Sequence, residues 1–345
     1  YAKKMGEEEL FPSPTLHDFI SSKLLEDINF KFKKNEFNHE FIEYIEDSTS
    51  SNIEVQQTVK SGIKLLEAQS ICPAWAFYEF RLGARKIEEE DEENLTTRLR
   101  GNLFHKILEQ FWTENKSASL VSALNEKELS KKIQWIIHKN ISIEKKKYPR
   151  ILPEFFNIEE IRLISYLEKW IQHELQRGDF EVKETEKNIP IQLGCLNFNI
   201  KIDRIDEVNQ NNIVIDYKSG TTKTLNEWFL NLYGELQMPF YALFASNKPI
   251  DAIAIGIINS PKPQWIGIGR DRGLLPGIKD AATIEYQSWD DLIGFWKCRI
   301  DEASKSYESG NAAIKFSREK DMAYCQVKPI LRLPERILQF EQTKQ

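Results

Sequence analysis

The stretch KIDRIDEVNQNNIVIDYKSG, Lys201 to Gly220, decides the fold of this chain. Just upstream, Leu196, Phe198, Ile200 and Ile202 alternate with Asn and Lys, the period-2 pattern of a half-buried strand. Asp203 then points away from that apolar face, beside Lys201 and Ile205. Asn209 to Asn212 reads as a four-residue turn, and IVIDYK follows as a second strand, so the two form a hairpin. On the second strand, alternation puts Ile213, Ile215 and Tyr217 on one face and Val214, Asp216 and Lys218 on the other.

Working outward, residues 53–82 read as helical with a break at Pro73 and carry an aromatic run, Trp75, Phe77, Tyr78 and Phe80. That run suits core packing or an interface, with a base-stacking platform as the alternative. Thr97 to Trp112 shows Phe104, Ile107, Leu108 and Phe111 at i, i+3, i+4, i+7, an amphipathic helix. Further helices are expected around 127–139, at 154–176 after Pro153, from about Asn226 to Ser246, and at 288–308, where Gly310 is placed as the stop. Residues 250–259 and 264–269 read as two more strands parted by Pro261 and Pro263. Helices, a hairpin, a crossover helix and further strands predict an α/β fold with a mixed central sheet and a helical N-terminal part or insertion.

The chemistry gathers at the hairpin. Asp216 and Lys218 share one strand face, so a carboxylate and an ammonium can serve one site; alone, they also read as a plain ion pair at a strand end. If the hairpin pairs across its four-residue turn, Asp203 is expected to approach Asp216 closely enough to hold one cation between them. Two adjacent carboxylates repel, and a bound cation is the usual resolution. Hard oxygen donors without a thiolate favour Mg²⁺ or Mn²⁺ over zinc. His105 lies at the edge of the apolar helical stripe, with Glu109 one turn on. Gly101 is costly in a helix by about 1 kcal/mol relative to Ala, which close approach of a backbone or ligand would explain. Gln237 and Tyr241 stand at i, i+4 and share a helix face.

Bulk properties bound these readings without choosing among them. No run among the 345 residues approaches the roughly 20 apolar residues of a membrane span. The formal charge of −6 gives a nucleic-acid binder no support, although a local basic groove can sit on an acidic protein. Glu88 to Glu93 reads as a solvated acidic loop, whereas from Lys315 onward seven Lys or Arg face four Asp or Glu. Cys72, Cys195, Cys298 and Cys325 form no C-x-x-C pair, which argues against a zinc knuckle and a disulfide framework and for reduced thiols in the cytoplasm.

Four blocks in order, GNLFH (Gly101 to His105), KIDRID (Lys201 to Asp206), DYKSG (Asp216 to Gly220) and QMPFYALFA (Gln237 to Ala245), resemble the RecB/AddB-type branch of the PD-(D/E)XK nuclease superfamily. Upstream, QSICPAWAFYEFRLGA (Gln69 to Ala84) resembles the entry segment of bacterial nuclease domains assigned to DNA repair. The resemblance implies a restriction-endonuclease-like sheet flanked by helices. It implies metal ligation by His105, Asp203, Asp216 and the Tyr217 carbonyl, with Mg²⁺ or Mn²⁺ as the ion. Lys218 would orient or deprotonate the attacking water, and Gln237 and Tyr241 would line the site and touch DNA. The chain is expected to divide into a lead-in and helical segment at 1–68, which either folds alone or is the remnant of an upstream domain, and a nuclease domain at 69–345 with a helical insertion at about 113–178. Many AddB-type relatives add an iron–sulfur cluster held by one upstream Cys and three clustered C-terminal ones. Cys72 sits at the upstream place, but the C-terminal trio is missing, so no cluster is expected. The expected partners are DNA and a helicase-like domain or subunit, and no membrane. Because the sequence opens at Tyr1 without Met, the expectation is a C-terminal piece of a longer helicase–nuclease-like protein. The competing readings are a catalytically inactive nuclease-fold module that binds DNA or scaffolds, and a hydrolase of small phosphoesters.

Overall fold

A computed structural model of the chain describes residues 48–53, 57–58, 62–86, 94–219, 225, 235–258, 262–284 and 286–333, together with 4–5 and 8–9. The chain divides into two compact units, Tyr1–Glu46 and Asp47–Gln345. In the first, Lys4–Met5 pairs antiparallel with Glu8–Glu9. The acidic run Glu88–Glu93 and most of residues 36–56 lie outside the described residues.

The second unit is built on a mixed sheet that counts seven strands among the described residues. Its members are β1 (Gln57–Thr58), β2 (Glu181–Leu193), β3 (Leu196–Val208), β4 (Asn211–Lys218), β5 (Ala252–Ile257), β6 (Gln264–Gly269) and β7 (Ile278–Asp280). Their order is β1-β3-β4-β5-β6-β7, with β2 also on β3. β2 follows β3 along its whole length, so β1 and β4 meet the opposite edge of β3 at different ends. The pairs β1–β3, β4–β5 and β6–β7 are parallel, and β2–β3, β3–β4 and β5–β6 are antiparallel. β5 is AIAIGI and buried throughout, as a strand covered on both faces must be.

Helices cover both faces. On one, α1 (Ile63–Ile71), α2 (Pro73–Ala76, running on into a π-helical turn at Phe77–Arg81), α7 (Gln237–Phe244) and α8 (Trp289–Glu308) share a core with Ile200, Ile202, Val214, Ile253 and Ile255. On the other, α3 (Thr97–Glu114), α4 (Ala118–Ser122), α5 (Glu126–Lys147) and α6 (Pro153–Leu175) pack on Ile213, Ile215, Tyr217, Ala252 and Ala254. The alternation of β4 thus feeds two cores at once, as expected. Local chemistry sets the helix starts. Thr96 caps α3 by accepting from the Leu99 N–H, Asn125 and Glu128 form a capping box on α5, and Pro153 opens α6. Trp170 of α6 reaches the sheet because β5 carries glycine there: a Cβ on Gly256 would lie 2.7 Å from the Trp170 ring and 3.0 Å from Tyr217.

The architecture is the mixed α/β sheet flanked by helices that the sequence predicts, with four local differences. Helix begins only at Ile63; Gln57–Thr58 is strand, and Cys72 is extended before Pro73. The hairpin turn is two residues, not four: Val208 pairs with Asn211, and Asn209 (φ 50) and Gln210 (φ 67) are both left-handed. The helix expected from Asn226 is seen at Gln237–Phe244, with 226–234 outside the described residues. Finally, β2 and β7 were not expected as strands: β2 is too charged to show an apolar alternation, and β7 is only three residues. Trp75 and the two thiols Cys72 and Cys325 share one apolar core with Val327 and Leu331, and burial pushes the Cys325 thiol up to about 11.

Candidate active site

The two-residue turn places the hairpin. Its register runs from Val208–Asn211 to Arg204–Ile215, so the next step along both strands brings Asp203 level with Asp216. A four-residue turn would have put Asp203 opposite Lys218. The alternation of β3 also slips by one residue at Asp203. Ile202 and Ile205 both join the first core, while Arg204 bonds Tyr217 on the opposite face, so Asp203 sits at an irregular step rather than on a regular face. β2 is distorted at the same level. Thr185 pairs with Arg204 and Lys187 with Ile202, and Glu186 between them has φ 47.

Those distortions gather a cluster. Asp203 Oδ2 accepts the Tyr217 backbone N–H at 2.8 Å and lies 3.1 Å from His105 Nδ1. His105 comes from α3, on the edge of the stripe that buries Phe104 and Leu108. Glu186 joins them: one ligand atom each from His105, Glu186 and Asp203 lies within 4.8 Å of the others. Glu186 is paired with Lys201, whose own carbonyl accepts the Tyr241 hydroxyl at 2.8 Å. Asp216 is nearly inaccessible at 2% exposure. Its Oδ2 is 2.8 Å from Lys218 Nζ, and its Oδ1 accepts from Gln237 Nε2 at 3.0 Å. Gln237 ties the parts together, donating also to the Tyr241 hydroxyl at 2.8 Å and accepting from Lys218 Nζ at 3.3 Å. The Glu67 carboxylate in turn accepts the Leu236 N–H and holds the start of α7 in place.

The electrostatics are those of crowded carboxylates. Burial, with the Asp203 charge beside it, pushes the Asp216 carboxyl up to about 6, and Lys218 and His105 only partly offset this. Burial likewise raises Glu186, against the pull of Lys201. Burial opposes protonation of His105, but the Asp203 hydrogen bond and the charges of Asp203, Asp216 and Glu186 outweigh it and raise its pKa. Lys218 is held charged against burial by Asp216 and Asp203.

A divalent cation fits this donor set. Asp216 Oδ2 is buried and accepts no hydrogen bond of good geometry despite its ion pair with Lys218. His105, Glu186 and Asp203 bring one imidazole nitrogen and two carboxylates together, and the Asp216 carboxylate beside them feels the charges of Asp203 and His105, so oxygen is the majority donor, which suits a hard ion. All seven residues singled out from the sequence, His105, Asp203, Asp216, Tyr217, Lys218, Gln237 and Tyr241, fall in this one region. Glu186 was missed. Glu181 to Lys187 reads as a solvated charged run, and only pairing with β3 turns its last carboxylate, Glu186, inward. Beyond its own helix turn, none of the described residues comes within 4 Å of where a Cβ on Gly101 would lie, so none of them makes the close approach expected one turn before His105.

A family model described as the PD-(D/E)XK nuclease superfamily matches residues 64–330. The chain belongs to that superfamily. Membership supports a phosphodiester-hydrolysing nuclease on a restriction-endonuclease-like fold. No curated protein matches the chain. A solved structure titled "Crystal structure of SSO0001" is similar at 14% identity over 77% of this chain and 94% of that one, with a TM-score of 0.25, too slight a likeness to carry an argument. Among the described residues of this superfamily member, no helix is long and apolar enough to cross a membrane.

Proposed function

We propose that this chain is a Mg²⁺- or Mn²⁺-dependent DNA nuclease of the RecB/AddB type, acting in repair or recombination beside a helicase-like domain or subunit in the cytoplasm. The observation that carries the reading is the convergence of Asp203, Asp216 and Lys218 with His105 at one end of the β3–β4 hairpin. His105, Asp203, Asp216 and the Tyr217 carbonyl would hold the ion, with Glu186 as a further carboxylate beside them. The ion would supply a Lewis acid for the phosphoryl oxygens and lower the pKa of a bound water.

The chain's own groups do the rest. Lys218, pinned between Asp216 and Gln237, presents a fixed ammonium to orient the attacking water and to offset charge growing on the phosphate. Gln237 and Tyr241 hold Asp216 and Lys201 in register and line the approach for a DNA strand. A divalent cation is the expected cofactor; an iron–sulfur cluster is not expected, because the sequence offers Cys325 alone where the resemblance calls for three clustered C-terminal cysteines.

The test is direct. Purified protein with Mg²⁺ or Mn²⁺ should nick or degrade linear or single-stranded DNA, and Asp216→Ala and Lys218→Ala should each abolish this. Intact DNA with either metal would sink the reading. If the inert wild type still binds Mn²⁺ and DNA, a scaffold with a nuclease fold takes its place.

A further inference from the structure

Behind the site, on the other face of the same two strands, lies a group of charges that cleavage does not use. Arg204, Arg177, Glu174 and Asp206 have side chains no more than 1% exposed. Arg204 donates through Nε and Nη2 to the two Asp206 carboxylate oxygens at 2.6 Å, and through Nη1 to the Tyr217 hydroxyl at 2.6 Å. The Tyr217 hydroxyl in turn donates to Glu174 Oε1 at 3.2 Å. The guanidinium stacks 4.1 Å from the Trp112 ring, and the Tyr217 ring meets Trp170 edge-on. A buried ion group is seldom more stabilising than apolar packing of the same volume, so stability alone is a weak reason for it.

Its position suggests another reason. Arg204 follows Asp203 in the chain, and Tyr217 stands between Asp216 and Lys218. The β3–β4 ladder brings the two aspartates level but stops at Arg204–Ile215, one step short of them, so no β3–β4 pair fixes where the Asp203 carboxylate points. Side chains supply the missing link. The Asp203–Arg204 peptide, the Arg204–Tyr217 hydrogen bond and the Tyr217 N–H to Asp203 Oδ2 close a ring around the end of the hairpin.

We infer that Arg204 and the Tyr217 phenol, braced by Glu174, are positioning residues that fix the Asp203 carboxylate against the Tyr217 backbone and so hold it toward His105 and Glu186. This rests on the metal-site reading above for its consequence in catalysis, but the ring itself can be tested without metal. Tyr217→Phe removes one hydroxyl and keeps the ring packed on Trp170. Amide hydrogen exchange should speed up at least tenfold at residue 217 and stay unchanged at Ile213 and Ile215 of the same strand. Mn²⁺ binding by calorimetry should weaken at least tenfold, and kcat should fall while KM for DNA holds.

Exchange that rises equally at all three amides, or a lower Tm with unchanged Mn²⁺ affinity and kcat, assigns the hydroxyl to stability and overturns the inference. Glu174→Gln keeps size and an acceptor and is read in the same way should Tyr217→Phe not fold; failure of both to fold also overturns it. A wild-type protein that takes up no Mn²⁺ sinks the nuclease reading instead, and amide exchange at residue 217 then decides the ring on its own.

Discussion

His105 Nδ1 stands 3.1 Å from Asp203 Oδ2, across the gap between α3 and the irregular step in β3, with the Glu186 carboxylate beside both. The imidazole is drawn toward its charged form by Asp203, Asp216 and Glu186 against the opposition of burial. An imidazolium cannot ligate a metal, and neither can a protonated carboxyl.

Metal binding should therefore release protons. His105 titrates above its ordinary 6.5 and Asp216 at about 6, so both are partly protonated just below neutrality. Apparent Mn²⁺ affinity is expected to fall as pH drops from 8 to 6. Calorimetry in buffers of different ionisation heat should show net proton release at pH 6.5 that shrinks toward pH 8. Affinity that is flat across this range would contradict the ligand assignment.

The same crowding has a cost in stability whose sign is definite. The folded-state pKa of Asp216 lies near 6 against an ordinary 3.8, so the group's contribution to stability is full below about 3.8 and is lost as pH rises through 6. At pH 7.5 the ionised carboxylate thus weighs against folding, by an amount on the order of 3 kcal/mol. Asp216→Asn should raise the Tm of the metal-free protein at pH 7.5 and leave it nearly unchanged at pH 4. Added Mn²⁺ should raise the wild-type Tm and not that of the variant, because only the wild type gains a ligand-bound state. Thermal melts at the two pH values, with and without Mn²⁺, measure all of this.

Much of this site could be read along one strand. The alternation of Ile213, Ile215 and Tyr217 against Val214, Asp216 and Lys218 needs only the period of a β-strand, and the two cores confirm it. His105 could be placed on a helix edge because four apolar residues define the stripe. What escaped depends on pairing between strands. The inward turn of Glu186 needs its positive φ and the partner strand β3, and the slip at Asp203 needs Arg204 to find Tyr217 across the sheet. Neither leaves a mark in local hydropathy, which is why a charged strand such as β2 reads as solvated loop.

The tight packing beneath the site yields a stability prediction. A methyl on Gly256 would meet the Trp170 ring at 2.7 Å and the Tyr217 ring at 3.0 Å, and both rings are buried and lack room to retreat. Gly256→Ala should cost about 1–3 kcal/mol by overpacking. Because the displaced ring belongs to Tyr217, the loss should be accompanied by weaker Mn²⁺ binding. Chemical denaturation and calorimetry test the two parts; a variant as stable as wild type would show that Trp170 packs less closely than described.

The turn that sets the register offers the opposite change. Asn209 tolerates the left-handed region well, but Gln210 sits at φ 67 with a full side chain, a conformation costing roughly 1–2 kcal/mol for an L-residue. Gln210→Gly relieves that strain and should stabilise the protein by about 1 kcal/mol, less any entropy lost from a freer unfolded chain. Since Val208–Asn211 pairing is kept, Asp203 stays level with Asp216 and metal affinity should not move. Inserting two glycines between Asn209 and Gln210 tests the converse. The lengthened loop can still close on Val208–Asn211, so if the tight turn is what holds that register, loosening it frees the strands to shift Asp203 away from Asp216, and Mn²⁺ binding should fall even where the fold survives. Retained affinity in a folded insertion variant would show that the strands, rather than the turn, set the alignment of the two aspartates.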